Sequence, residues 1–475
     1  MRTMNVDIAI IGAGTAGLNA RREAEKAGKS WVLIESGPYG TTCARVGCMP
    51  SKLLISAADA AHAAHGAHRF GVKVDAVDID GQAVMDRVRQ ERDRFTGFVV
   101  EATEALPEEQ RLHGKARFVG PTTLVVDDHT QVEFGAVVVA SGSSPWIPPD
   151  FAALNKRVLV NDDIFEWADL PESIAVIGTG IIGLELGQAL HRLGVEVTFF
   201  NPFGNLGPFT DPEVQRVTRE VLSAELDLQL ELKDARVEED DEGVTIHWTT
   251  KDGDVKSGRF EWVLAAAGRR PNLPDLTPTG LELDERGRPK WDPLTTQAGD
   301  SAIFIAGDVS GHRPLLHEAS DEGRIAGANA VRYPDVVAHQ RRTSLAVAFT
   351  EPQMALLGQR YIDVPDEHRV IGEVSFADQG RSRVMGLNQG ILRVYADRRT
   401  CRIVGAEMFG PRAEHIAHLL AWAVQRNQLV EELLDMPFYH PVIEEGVRTA
   451  LRDLAKNLRL LGGCRSEAHA EAPGS

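Results

Sequence analysis

A strand, a glycine-rich turn, a helix and a second strand occur in that order twice in this chain, with the same spacing each time. In the first copy, apolar residues 6–11 run into Gly12-Ala13-Gly14-Thr15-Ala16-Gly17. A helix-compatible stretch covers 18–27, and apolar residues 31–34 close on Glu35. In the second, residues 173–177 lead into Gly178-Thr179-Gly180-Ile181-Ile182-Gly183. A helix runs through Leu193, and residues 195–200 close on Asn201. Both closing residues fall 23 positions after the first glycine. One such turn occurs in many unrelated folds, but two in the strand–turn–helix context specify two βαβ units of the dinucleotide-binding type. Their glycines let the backbone approach a pyrophosphate, which the helix N-terminus attracts.

The chain has 475 residues, room for roughly three domains of ordinary size. Pro145, Pro148 and Pro149 punctuate one boundary, and Pro271, Pro274 and Pro278 another. Residues 136–139 end in a turn at Gly142, 262–265 in one at Gly268, and 302–305 in Ala306-Gly307-Asp308. Beyond about residue 343 short strands take over, followed by helical periods at 413–424 and from about Glu444. A net charge of -18 repels nucleic acid and anionic membranes. No apolar run reaches the roughly 18–20 residues a membrane span needs. The N-terminus enters a strand with no cleavable signal ahead of it, and four cysteines make no disulfide scaffold. A reducing, cytoplasmic setting is therefore expected.

Cys43 and Cys48 lie just ahead of a helix expected over 49–64. In regular helix geometry that offset separates Cα atoms by roughly 8–9 Å, against the roughly 4.4–6.8 Å of a disulfide. A bond between them requires the chain near Gly47 to leave helical geometry. Pro50 is tolerated early in the helix, and a cysteine at a helix N-terminus has a stabilised thiolate. The pair could be a zinc site, two buried thiols or a redox-active dithiol. Cys401 and Cys464 are isolated and give no zinc spacing, and two dinucleotide units favour the redox reading. His440 has Glu445 five residues on; by itself a histidine beside a proline is more often structural than catalytic, but thiol chemistry needs a proton carrier of this kind. His62, His65 and His68 read as a polar face at a helix end rather than a metal site.

Residues 40–52 resemble the redox-disulfide signature of the pyridine nucleotide–disulfide oxidoreductases, and the resemblance extends over nearly the whole chain, most closely to its dihydrolipoyl dehydrogenase branch. It implies an α/β fold with two Rossmann-like domains, for FAD and NAD, and a C-terminal α+β dimerisation domain. The boundaries implied are 1–149 with 272–342 for FAD (the second part central), 150–271 for NAD and 343–465 for dimerisation. An unstructured tail would follow at 466–475. FAD would meet Gly12, Gly14, Gly17, Glu35, Ala116, Gly142 and Asp308; NAD would meet Gly178, Gly180, Gly183, Asn201 and Gly268. Lys52 and Glu185 match an ion pair beside the flavin. Cys48 would lie against the flavin and Cys43 exchange with substrate. His440–Glu445 matches a catalytic dyad that reaches the partner subunit's disulfide, which implies an obligate homodimer.

The implied reaction moves two electrons between NAD(H), FAD, the Cys43–Cys48 pair and a dithiol, small or carried on a lipoyl domain, with a 2-oxo acid dehydrogenase complex as one setting. The competing readings are a diaphorase or transhydrogenase reducing quinones, metal ions or another disulfide, and a non-catalytic redox sensor or complex-bound structural subunit. Asn201 is neutral and residues 202–206 contain no base, so NAD is expected over NADP. Thr41, Arg45 and Val442 depart from the family's usual Gly, Asn and Thr near the cysteines and the histidine, which bears on substrate identity. The lone Cys464 differs from the adjacent C-terminal pair of mercuric reductases and high-molecular-weight thioredoxin reductases.

Overall fold

The computed structural model describes residues 1–154 and 156–459, so Cys464 and the tail at 466–475 lie outside the described residues. The first sheet is built around Arg2–Ile11, which pairs in parallel with Trp31–Glu35 on one side and Thr130–Val139 on the other. Its burial alternates at first and becomes continuous over its last four residues, where helices cover the sheet. Arg111–His113 extends the sheet beyond Trp31–Glu35. Ala116–Gly120 and Thr123–Val126 form an antiparallel meander beyond Thr130–Val139. Ile303–Ile305 returns from far along the chain to pair in parallel with Thr130–Val139. The helices Thr15–Lys26 and Leu316–Arg332 pack closely because small side chains meet between them, Ala16, Ala20 and Ala24 with Ala319, Ala326 and Ala330.

The second sheet is wholly parallel. Ser173–Ile177 is central, with Glu196–Asn201 and Asp227–Leu230 on one side and Trp262–Ala265 and Val158–Leu159 on the other. A three-stranded antiparallel sheet, Asp234–Glu239, Val244–Thr249 and Val255–Phe260, accompanies it. Phe200 meets Trp248 and Phe260 edge to face in the core that joins the two. Ser143–Pro145 and Arg269–Pro271 form a two-stranded ladder where the chain crosses between the first and second sheets.

The third unit is a five-stranded antiparallel sheet in the order Leu345–Ala348, Gln353–Gly358, Arg402–Gly410, Ile391–Asp397, Arg369–Ser375. The helices Ala413–Gln425 and Glu445–Asn457 back it and share its core. The expected fold class is thus the observed one. Two buried carboxylates tie this sheet to the second unit. Glu407 accepts hydrogen bonds from the Thr210 N–H at 2.8 Å, the Asp211 N–H at 3.0 Å and the Tyr361 N–H at 3.0 Å. Asp211 accepts from Arg393 at 2.6 Å and from the Tyr395 hydroxyl at 2.9 Å. Burial beside these carboxylates pushes the Tyr395 phenol far above its usual range, so it acts as a fixed donor. Among the described residues no helix is long and apolar enough to cross a membrane.

Candidate active site

Two glycine turns form matched cradles. A Cβ at Gly12, whose φ is +109°, would stand 2.3 Å from the Ala140 carbonyl oxygen, and one at Gly17 would stand 1.9 Å from that of Gly12. In the second unit a Cβ at Gly178 (φ +110°) would lie 2.6 Å from the Ala266 oxygen, and one at Gly183 2.2 Å from that of Gly178. The outer two glycines of each turn therefore allow strand, turn and helix to close together. The middle glycines, Gly14 and Gly180, have no atom within 4 Å of an added Cβ. They cap the helices Thr15–Lys26 and Ile181–Arg192, which have no side-chain cap and no acid in their first turns. Each turn thus offers free N–H groups and open space to an anion, as a dinucleotide pyrophosphate requires.

This geometry separates folding from binding. Gly14→Val and Gly180→Val place a side chain in open space, so both variants are expected to fold. Gly14→Val should yield a protein with native circular dichroism and no flavin absorbance. Gly180→Val should stay yellow and lose NADH binding by on the order of 100-fold or more, through blockage of the pyrophosphate seat.

Glu35 accepts from the Ala13 N–H at 2.8 Å and from the Gly37 N–H at 2.8 Å, so its carboxylate sits over the first turn. The Gly114 N–H donates to the Glu35 carbonyl at 2.9 Å, which brings Ala116 to the same end of the sheet. Asp308 follows Ile303–Ile305 and accepts from the Ser143 hydroxyl at 2.9 Å, beside Gly142. Arg269, next to Gly268, donates to the Ser143 hydroxyl at 2.8 Å and to its carbonyl at 2.7 Å. Ser143 and Arg269 were not singled out from sequence, nor was the buried Glu322, which accepts from the Gly307 N–H at 2.8 Å and pairs with Arg341 at 2.9 Å. Burial pushes the Glu322 carboxyl above the usual range. Asn201 is buried: its amide donates to the Thr179 hydroxyl at 2.5 Å, and its oxygen accepts from the Phe203 N–H at 3.0 Å.

Cys43 lies in the short helix Thr42–Val46 and Cys48 begins the helix Cys48–Gly66. Gly47 between them, at φ -130° and ψ -112°, interrupts the helical path. The Cα atoms come to 4.8 Å and the two cysteines form a disulfide. The long helix has no side-chain cap and no acid in its first turn, which favours a thiolate at Cys48 on reduction. Thr41 caps the short helix, accepting from the Ala44 N–H at 3.3 Å.

One turn beyond Cys48, Lys52 meets Glu185 at 2.7 Å. Glu185 is buried and also accepts from the Phe349 N–H at 2.7 Å, while the Lys52 ammonium lies 4.7 Å from the Phe349 ring centre. Residues from three units therefore converge beside the disulfide. His440 holds Glu445 through Nδ1, 3.1 Å from each carboxylate oxygen, and Glu445 also meets Arg448 at 3.5 Å. The histidine side chain is 63% exposed and the glutamate 14%. His440 forms no hydrogen bond to either cysteine of its own chain among the described residues. His65 and His68 engage backbone carbonyls of their own helical segment through Nδ1, each at 2.9 Å.

Two glycine-turn cradles of the dinucleotide type and a cysteine disulfide together define a nucleotide-dependent disulfide oxidoreductase. The comparisons agree. Residues 6–323 match the pyridine nucleotide-disulphide oxidoreductase family, and residues 344–451 match the dimerisation domain of the same family. The chain belongs to this family and shares its cofactors, FAD and NAD(H). It is 30% identical to dihydrolipoyl dehydrogenase of Haloferax volcanii over 457 residues, covering 94% of this chain and 95% of that one. It is 28% identical to dihydrolipoyl dehydrogenase 3 of Pseudomonas aeruginosa, covering 94% and 97%. The fold is also that of the HOCl-induced flavoprotein disulfide reductase RclA from Escherichia coli in its Cu(II) complex. That comparison gives a TM-score of 0.77 at 21% identity, covering 96% of this chain and 99% of the other.

Proposed function

We propose that the protein is a dihydrolipoyl dehydrogenase, acting as a cytoplasmic homodimer that oxidises a dithiol at Cys43–Cys48 and passes the electron pair to NAD⁺. The observation that carries this reading is the Lys52–Glu185 pair, which joins the helix begun by Cys48 to the helix behind the second glycine turn. The pair ties the disulfide-bearing helix to the second glycine-turn unit, which supports a relay between sulfur and the nicotinamide site. Gly12, Gly14, Gly17, Glu35, Ala116, Gly142 and Asp308 would hold FAD, which would supply two-electron chemistry between nicotinamide and sulfur. The buried Glu185 keeps the Lys52 ammonium in place; removal of either partner alone leaves a charge without its counterpart.

The protein's own chemistry is thiol–disulfide exchange. A substrate thiolate attacks Cys43, the Cys43–Cys48 bond breaks, and Cys48 leaves as a thiolate beside the helix N-terminus. The second substrate thiol gives its proton to His440 of a second copy of the chain and attacks the mixed disulfide. The substrate departs oxidised, and Cys43 and Cys48 hold the electron pair. Glu445 fixes the His440 ring through Nδ1 and leaves Nε2 for the substrate proton.

The test is substrate profiling of the purified yellow enzyme. Dihydrolipoamide with NAD⁺ should be turned over at least about 100-fold more efficiently, in kcat/KM, than glutathione disulfide or a quinone with NADH, a gap of the size that a few lost contacts produce. A quinone preferred to every dithiol would replace the proposal with the diaphorase reading. Addition of a lipoyl domain in place of free dihydrolipoamide asks whether the enzyme serves a 2-oxo acid dehydrogenase complex.

A further inference from the structure

No cation stands in residues 202–206, yet the fold brings two beside them. Glu196–Asn201 pairs in parallel with Asp227–Leu230, and Asn201 stands opposite Leu230. Residue 231 therefore emerges next to the loop that follows Asn201, and its N–H donates to the Phe203 carbonyl at 3.3 Å. From that corner the Glu231 carboxylate meets Arg219 at 3.0 Å and Lys251 at 3.5 Å. Arg219 also donates to the Gly204 carbonyl within the loop. Arg219 and Lys251 hold the Glu231 carboxyl below the usual range, so it is ionised at neutral pH.

The first unit has the same corner with the charge placed differently. There Glu35 stands opposite His113, and the next residue, Gly114, donates its N–H to the Glu35 carbonyl at 2.9 Å. The acid ends the strand and a glycine turns the corner. In the second unit a neutral Asn201 ends the strand, its side chain already committed to Thr179 and Phe203. The carboxylate has moved to the corner, where Glu231 takes φ +57°, a conformation that glycine adopts freely and glutamate does not.

We infer that Glu231 sets the choice between the two nicotinamide dinucleotides. It engages Arg219 and Lys251, the two cations that would otherwise receive a 2′-phosphate, and so excludes NADP(H) from a ribose site whose strand-end residue is neutral. A ribose 2′-hydroxyl carries no charge and is indifferent to this pairing. A 2′-phosphate dianion meets Glu231 as a like charge within the screening length of about 8–10 Å. The inference rests on the nicotinamide unit and is independent of which dithiol the enzyme uses.

The experiment is calorimetric titration of the FAD-loaded enzyme with 2′,5′-ADP and with 5′-AMP, at low and high salt. Wild type should bind 2′,5′-ADP no more tightly than 5′-AMP. Glu231→Gln should tighten 2′,5′-ADP by on the order of ten-fold at low salt and less at high salt, and change 5′-AMP by less than about two-fold. Glu231→Gly should act in the same direction and suits the positive φ, so a misfolded glutamine variant would not leave the question open. Added Arg219→Gln and Lys251→Gln changes should abolish the gain, and kcat/KM for NADPH-driven ferricyanide reduction should follow the same order. Unchanged 2′,5′-ADP affinity in both Glu231 variants, or a gain that survives loss of both cations, overturns the inference. A substrate profile that rejects dihydrolipoamide leaves it standing.

Discussion

Cys48→Ser and Cys43→Ser are each expected to lower dithiol turnover by about 1,000-fold or more, because two residues that act as one reaction centre fail together when either is lost. NADH oxidation with ferricyanide should continue in both variants, since that route needs the nucleotide sites and no exchange at sulfur. The structural grounds for expecting a clean effect are local. Cys43 lies in a five-residue helix capped by Thr41, and Cys48 opens a new helix after the break at Gly47. Serine is close to cysteine in size, so neither helix loses its cap or its packing. Steady-state assays with dihydrolipoamide and with ferricyanide, run on the same preparations, measure both activities. A serine variant that keeps more than about a tenth of the dithiol activity would remove the pair from the reaction.

What could be read in the sequence and what could not divide by the length of chain over which the information lies. The turns at Gly12–Gly17 and Gly178–Gly183 are legible because one steric requirement, the approach of strand, turn and helix, acts within a few residues and repeats. The Cys43–Cys48 pair and His440–Glu445 are likewise separated by five positions each. Contacts closed by sheet register leave no such trace. Ser143 and Asp308 are 165 residues apart, and Ser143 and Arg269 are 126 apart. They meet because Ile303–Ile305 pairs with Thr130–Val139, and Arg269–Pro271 with Ser143–Pro145. Lys52 and Glu185, 133 apart, were expected only through the family resemblance.

The same limit explains why residues 202–206 alone do not show the charges that surround Asn201. Charge near Asn201 comes from the helix Pro212–Leu222, from the corner at Glu231 and from the turn at Lys251, none of them adjacent in sequence. The buried Asp211 and Glu407 show a further blind spot. In sequence a lone acid in a loop or strand reads as a solvated charge, whereas here each is enclosed and satisfied by donors from another unit.

His440→Gln is expected to lower dithiol turnover by about 100- to 10,000-fold, the usual contribution of a positioned acid–base group, and to leave the enzyme dimeric and active with ferricyanide. Trp422→Glu should produce the same loss by another route. On the helix Ala413–Gln425, Ile416, Ala417, Leu420 and Ala421 are buried in the domain core, while Leu419 and Trp422 are 44% and 69% exposed on the opposite face. A tryptophan in that position, within the family's dimerisation domain, is well suited to anchor a two-fold contact. Across such an axis one substitution introduces two like charges. Trp422→Glu should therefore sediment as a monomer and lose dithiol activity in proportion. Co-expression of Cys48→Ser with His440→Gln decides whether the dyad serves its own disulfide or its partner's. If it serves the partner's, each mixed dimer holds one intact site, and random pairing restores about a quarter of wild-type activity to two inactive parents. If the dyad serves its own chain, every site in the mixed dimer lacks either Cys48 or His440, and no activity returns.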